Sequence, residues 1–138
     1  MILEKETRMT LDELRSQLIG EYPSVRSDQR EAGQRLETDL KLESARQLER
    51  QGLIFSVSYQ GTDYFPLFQF CQDTGKPMEI IKELIEIFEL GKSNSWELFI
   101  WLVCPTGLLG GIKPVELMQS EPERVLKAAR CERADPYF

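Results

Sequence analysis

The nine residues SWELFIWLV, positions 95–103, constrain this chain most. Trp96, Leu98, Phe99, Ile100, Trp101, Leu102 and Val103 cover every side of a helix with apolar surface. A helix that is hydrophobic all round has to be buried, so the rest of the molecule is expected to wrap around it. Pro105 cannot continue the helix and restricts the residue before it, which places the end near Cys104. Gly107 then lets the chain turn, and Leu108 and Leu109 are expected to pack inward. Gly110 and Gly111 supply positive φ or close backbone approach. Pro114 suits the first position of a short helix, PVELMQ. Ser120 and Glu123 have the spacing of a capping box that starts EPERVLKAAR, with Val125, Leu126 and Ala129 facing inward. The expectation is a series of short helices joined by tight turns and folded over the tryptophan helix. The glycine pair is not a phosphate loop: the chain has neither G-x-x-x-x-G-K-[ST] nor G-x-G-x-x-G after a strand.

Upstream, Thr10 and Glu13 form another capping-box pattern. Leu11, Leu14, Leu18 and Ile19 share a helical face, and Gly20 is expected at the C′ position. The next segment, EYPSVRSD, reads as a connector. Residues 28–51 are highly charged and helical in composition. Ala32, Leu36 and Leu40 are spaced by four and Leu42, Ala45 and Leu48 by three, so the apolar face slips near Thr38 and Asp39. This fits one bent helix packing a narrow stripe, on a dimer mate for example, or two helices. In the second case Glu43–Gln51 would be the second helix of a degraded helix-turn-helix. Glu43 and Glu49 would repel phosphates there. Gly52 ends the segment.

Leu53, Phe55, Val57 and Tyr59 then alternate as one face of a strand. Gln60 and Gly61 form a turn, 62–65 a returning strand, and Pro66 ends the pairing. Leu67, Phe68 and Phe70 are expected in the core. DTGKP is a turn before the amphipathic helix MEIIKELIEIFEL, positions 78–90. Its stripe is Met78, Ile81, Leu84, Ile85 and Phe88; Ile80 and Ile87 widen it, Gly91 stops it, and Glu79, Glu83 and Glu86 form the exposed side. Asn94 and Glu97 have the spacing to cap the tryptophan helix. The fold class expected is mainly α (α+β): a bundle of short helices with one small β-hairpin in the middle of the chain. Two parts are expected, residues 1–52 as a helical arm or degenerate helix-turn-helix, and 53–138 as the hairpin with the helical domain.

Composition narrows the functions. The 138 residues contain no histidine, which removes Ser-His-Asp and Cys-His catalysis and His-ligated metals. Cys71, Cys104 and Cys131 are far apart, with no CxxC pair, and read as free thiols packed as small hydrophobes. No catalytic, metal or cofactor residue is assigned. The net charge is −6; residues 1–52 carry 9 basic and 11 acidic side chains, and 53–138 carry 8 and 12. Neither part has the basic footprint of a nucleic-acid binder. An acidic surface fits a basic protein partner better. No apolar run is long enough to span a bilayer and the first residues lack the apolar core of a signal peptide, so a cytoplasmic location is expected.

Several of these residues together resemble a family. Trp101, the run Pro105, Leu109, Gly110, Gly111 and Pro114, then Glu116-Leu117-Met118 and the closing PERVLKAA are similar to the C-terminal, toxin-binding domain of Xre/MbcA/ParS-type antitoxins. The resemblance covers roughly residues 78–131. Before it, Pro66, Phe68, Gln69 and Phe70 resemble the aromatic P-x-F/W-Q-F segment that precedes this domain in a subset of the family. The resemblance implies a mostly helical, bacterial, cytosolic and non-catalytic protein that needs no cofactor. Such a protein docks on a toxin, often of the RES type, which resembles ADP-ribosyltransferases and consumes NAD, and occludes its active-site entrance. On this reading Arg130, Arg133, Tyr137 and Phe138 are the partner-binding residues of a C-terminal plug, since Tyr and Arg often dominate interface energy. The alternatives are a DNA-binding regulator acting through the N-terminal helices and hairpin, and an orphan dimeric interaction module. A homodimer is expected in each case, because the broad face of helix 78–90 exceeds what one small domain needs to cover. No membrane contact is expected.

Overall fold

A computed structural model describes residues 10–26, 42–90 and 94–133. Helices dominate, around a small antiparallel sheet. In chain order the elements are α1 (Leu11–Glu21), β1 (Ser24–Arg26), α2 (Leu42–Arg50), β2 (Val57–Tyr59), β3 (Thr62–Pro66), a 3-10 turn (Leu67–Gln69) and α3 (Glu79–Ile87). Then follow α4 (Ser95–Val103), a second 3-10 turn (Gly107–Leu109), α5 (Pro114–Leu117) and α6 (Pro122–Arg133). The slip expected near Thr38 and Asp39, and the stripe of Ala32, Leu36 and Leu40, lie outside the described residues.

α1 opens with the capping box expected of it. The Glu13 N–H donates to Thr10 Oγ1 and the Thr10 N–H donates to Glu13 Oε1, each at 3.0 Å. The helix does not stop at Gly20. It runs to Glu21 and ends at Tyr22, which is extended at φ −113°. The reason is Pro23, whose ring disfavours helical geometry in the residue before it. Only Leu18 of the expected face is fully buried, while Leu11 is 54% exposed.

The connector after α1 contains a strand that alternation could not reveal in three residues. β1 pairs with β3, Val25 opposite Phe65, and gives the sheet order β1-β3-β2. The hairpin thus becomes the larger part of a three-stranded sheet. Its turn is as expected: Gln60 at φ 51° and Gly61 at φ 81°, both left-handed as a type I′ hairpin turn requires. Pro66 still pairs, with Ser24, as the last residue of β3.

The strand expected from Leu53 is shorter, and its alternation breaks. Ile54 and Phe55 are both buried, at 1% and 3% exposure. Gln69 explains why. Its side chain accepts from the Phe55 N–H and donates to the Phe55 carbonyl, each at 2.9 Å. A fully buried amide takes the part of a neighbouring strand, so this backbone is satisfied without a ladder.

α2 ends as expected at Gly52, with φ 76°. Gly52 N–H meets Glu49 O at 3.0 Å and Leu53 N–H meets Leu48 O at 3.0 Å, the paired bonds of a Schellman motif. α3 ends before Gly91 by the same device. Glu89, at φ 50°, holds the left-handed position that glycine usually fills. Leu90 N–H bonds Ile85 O at 3.1 Å, and Glu89 N–H bonds Glu86 O at 3.2 Å.

α4 has the expected bounds and sits at the centre. Leu98, Phe99 and Leu102 have no exposure and Trp96 has 7%. Tyr22, Phe68 and Trp96 surround Phe99 with ring centroids 6.0, 5.3 and 5.1 Å away. α4 thereby ties α1 and the first 3-10 turn to the C-terminal helices. A second, smaller cluster of Val25, Ala45, Ile54, Phe65 and Phe70 lies under α2 and the sheet.

Candidate functional site

Beyond α4 the chain is punctuated much as its prolines and glycines demand. Cys104 is extended before Pro105. The Thr106 hydroxyl accepts from the Leu108 N–H at 3.2 Å, and the Thr106 carbonyl accepts from the Gly111 N–H at 2.8 Å. Gly110 and Gly111 take φ 68° and 86°, values that suit glycine. Leu109 pins this loop into the core at 2% exposure. Leu108 does the opposite of what was expected: it is 50% exposed, and Ile112 is 37% exposed. Once Leu109 occupies the interior, a 3-10 turn sends its neighbour outward. Ile112 bridges to Thr106, so both exposed side chains belong to one locked loop.

Pro114 is the first residue of α5 and is buried. α6 begins at Pro122, one step later than the Ser120 and Glu123 spacing implied. The Glu121 carbonyl accepts from Arg124 N–H at 3.2 Å, and its carboxylate pairs with Arg124 at 3.1 Å. Pro122 lacks an N–H and needs no cap there. Ser120 and Glu123 form no capping box. Val125, Leu126 and Ala129 are buried as expected, together with Ala128.

Next to this loop lies a cleft of about 460 Å³, walled by Phe88, Ile100, Trp101, Cys104, Pro105 and Arg133. Arg133 Nη1 donates to Glu97 Oε1 at 3.2 Å and its guanidinium lies 5.2 Å from the Phe88 ring centre. The expected Asn94–Glu97 capping box is therefore absent. Glu97 faces Arg133 instead, and Asn94 Nδ2 donates to Glu89 O at 3.3 Å. Phe88 and Trp101 are 5.5 Å apart. The Trp101 indole N–H is buried and has no acceptor among the described residues.

Of the residues singled out from sequence, the structure brings together Trp101, Pro105 and Arg133. Arg130 is exposed one turn earlier on α6 and does not line the cleft. Tyr137 and Phe138 lie outside the described residues. Leu109, Gly110, Gly111 and Pro114 shape the adjoining turn. Pro66, Phe68 and Gln69 lie away from the cleft, where they close the sheet onto α4. Cys131 is exposed, and Cys71 and Cys104 are half-buried, so none is packed as a core residue. The Thr74 and then the Asp73 backbone N–H groups hold the Cys71 thiol below its ordinary value.

Among the described residues no three His, Cys, Asp or Glu side chains are grouped to hold a metal ion. No described helix is long and apolar enough to cross a membrane. Comparison with family models, with curated proteins and with solved structures gave no match.

Sequence reasoning did not single out the exposed pair Leu108 and Ile112, nor a larger cleft at the other end of α4. The glycine pair was the available signal for the first. Nothing in the local pattern signalled the second, because its lining comes from α2, the sheet, α3 and α4, which are far apart in the chain.

Proposed function

We propose that this is a non-catalytic, antitoxin-like protein that binds a partner toxin and blocks access to it, the partner being of the NAD-consuming, RES type. The observation that carries this reading is the locked loop from Thr106 to Ile112. It holds two aliphatic side chains in solvent beside a cleft of aromatic and charged groups. A surface ordered before binding loses little conformational entropy on docking, and tryptophan and arginine, here Trp101 and Arg133 in the adjoining cleft, are enriched among interface anchors. The resemblance of residues 78–131 to toxin-binding domains supports the same reading, since the motif residues Trp101 and Pro105 line the cleft and Gly110 and Gly111 shape the loop beside it.

A second copy could also be bound, but not through the apolar face of α3. Ile80, Ile81, Leu84 and Phe88 are buried within the chain itself.

The test is co-expression of the tagged protein with its neighbouring reading frames, followed by capture. A partner that is toxic alone should co-purify, and Leu108→Asp with Ile112→Asp should abolish capture. Leu108 is half exposed and Ile112 somewhat more than one third exposed, so the variant should keep its circular dichroism. Absence of any captured partner, or capture unchanged in the double variant, would sink the proposal.

A further inference from the structure

The cleft of about 460 Å³ beside the loop carries a charge that its own side chains do not balance. Its charged lining is Glu97, Glu132 and Arg133, two carboxylates against one guanidinium. Arg133 is committed to Glu97 at 3.2 Å. The Glu132 carboxylate has no ion pair or hydrogen bond among the described residues. Its own helix offers it none: the residues three and four before it, which share its face, are Ala129 and Ala128. Arg130 is two residues away, faces elsewhere and does not line the cleft. One negative charge is left over.

The rings of the cleft are used just as unevenly. The Arg133 guanidinium lies 5.2 Å from the centre of Phe88. The other guanidinium–ring contacts among the described residues are made to Trp96, Tyr64 and Phe65. Trp101 lines the cleft, is only partly buried and has no cation over it among the described residues. Tryptophan is the ring that attracts cations most strongly.

Phe88, Glu97 and Arg133 show how this surface holds a guanidinium, with one ring under it and one carboxylate beside it. Trp101 and Glu132 are a second ring and a second carboxylate in the same cleft, and they lack the cation. A planar guanidinium can stack on the indole and bond the carboxylate with two N–H groups at once, which an ammonium cannot do. Ile100 and Pro105 give the wall an apolar part against which an arginine stem can lie.

We infer that this cleft takes one arginine side chain of the partner, its guanidinium on Trp101 and Glu132, and that the arginine is flanked by apolar residues that meet Leu108 and Ile112. The inference rests on the reading of this surface as the partner-binding one and names the chemistry it selects. A partner carboxylate would face the surplus negative charge, and the net charge of −6 on the whole chain acts in the same direction.

The probe is the peptide acetyl-Leu-Arg-Leu-amide, with the citrulline peptide as its uncharged counterpart of the same shape. Titration of the full chain, followed by amide and indole resonances at low ionic strength, should give one saturable site that shifts the Trp101 indole and the Glu132 and Arg133 amides. Citrulline removes both the ion pair and the ring contact and should weaken binding about tenfold. Glu132→Gln should weaken the arginine peptide about threefold, while Glu123→Gln, in the first turn of α6, leaves it unchanged. Glu132 is exposed and unpaired, so its replacement should leave the fold intact. The peptide needs no toxin, whereas the antitoxin reading stands or falls on capture of a toxic partner, so the two can fail separately. No saturable binding, equal binding of the citrulline peptide, or an unaltered affinity in Glu132→Gln would each overturn the inference.

Discussion

From Ser95 to Arg133, turns are closed by partners a few residues away. Gly111 N–H reaches Thr106 O at 2.8 Å, and Glu121 N–H reaches Leu117 O at 2.8 Å. The sheet region is held differently. Gln69 serves the backbone of Phe55, 14 residues earlier. The Trp96 indole N–H donates to Ser58 O at 2.8 Å across 38 residues. The first region writes its own turns, while the second takes its shape from side chains that arrive only when the molecule is assembled. Local closure leaves exposed positions such as Leu108 open for a partner. Long-range closure leaves clefts where the closing elements meet.

The comparison can be broken most forcefully at Phe99, which touches both regions. Phe99→Ala should lower the unfolding free energy by about 3–5 kcal/mol. Urea denaturation followed by tryptophan fluorescence and by far-UV circular dichroism should give coincident transitions. Separate transitions would mean that the two regions fold as independent units.

Gln69→Leu should act on one region more than the other. It leaves the buried N–H and carbonyl of Phe55 without partners, at a cost of about 2–4 kcal/mol from two unsatisfied groups. Hydrogen exchange at Phe55 and along β2 should accelerate, while the amides of α6 keep most of their protection relative to global stability. Equal loss of protection in α6 would remove the distinction between local and long-range closure.

The smallest effect concerns the start of α1. The Thr10 backbone N–H, and then its hydroxyl, hold the Glu13 carboxyl below its ordinary value of 4.5. A carboxyl lowered in the folded state stabilises that state above the ordinary value, and the contribution is lost as pH falls through the lowered one. Acidification through the lowered value should therefore loosen the first turn of α1 before the core. The midpoint of the Glu13 carboxyl resonance should lie below the ordinary carboxylate range, and Thr10→Ala should raise it. A Glu13 titration unaffected by Thr10→Ala would show that the hydroxyl takes no part, since the substitution keeps the backbone N–H.

How much of this was legible depended on the range of the force involved. The bounds of α4, the Gly52 stop, the Gln60-Gly61 turn and Pro114 at the head of α5 follow from rules acting over a few residues. Most of the errors have the opposite cause. The end of α1 is an exception, where Pro23, only three residues on, overrode Gly20. The Asn94–Glu97 cap lost to Arg133, which sits far along the chain. β1 was too short to carry an alternation, and only pairing with β3 makes it a strand.

For the candidate surfaces the division is similar. The sequence determined a buried tryptophan helix followed by a glycine-locked loop, because steric limits on proline and glycine act at the residue itself. Only the tertiary structure decided that Leu109 turns inward and Leu108 outward, that Arg133 meets Glu97 and Phe88, and that Trp101 and Glu132 line one cleft. Each of those outcomes depends on which distant groups compete for the same space or charge, and that competition exists only once the chain is folded.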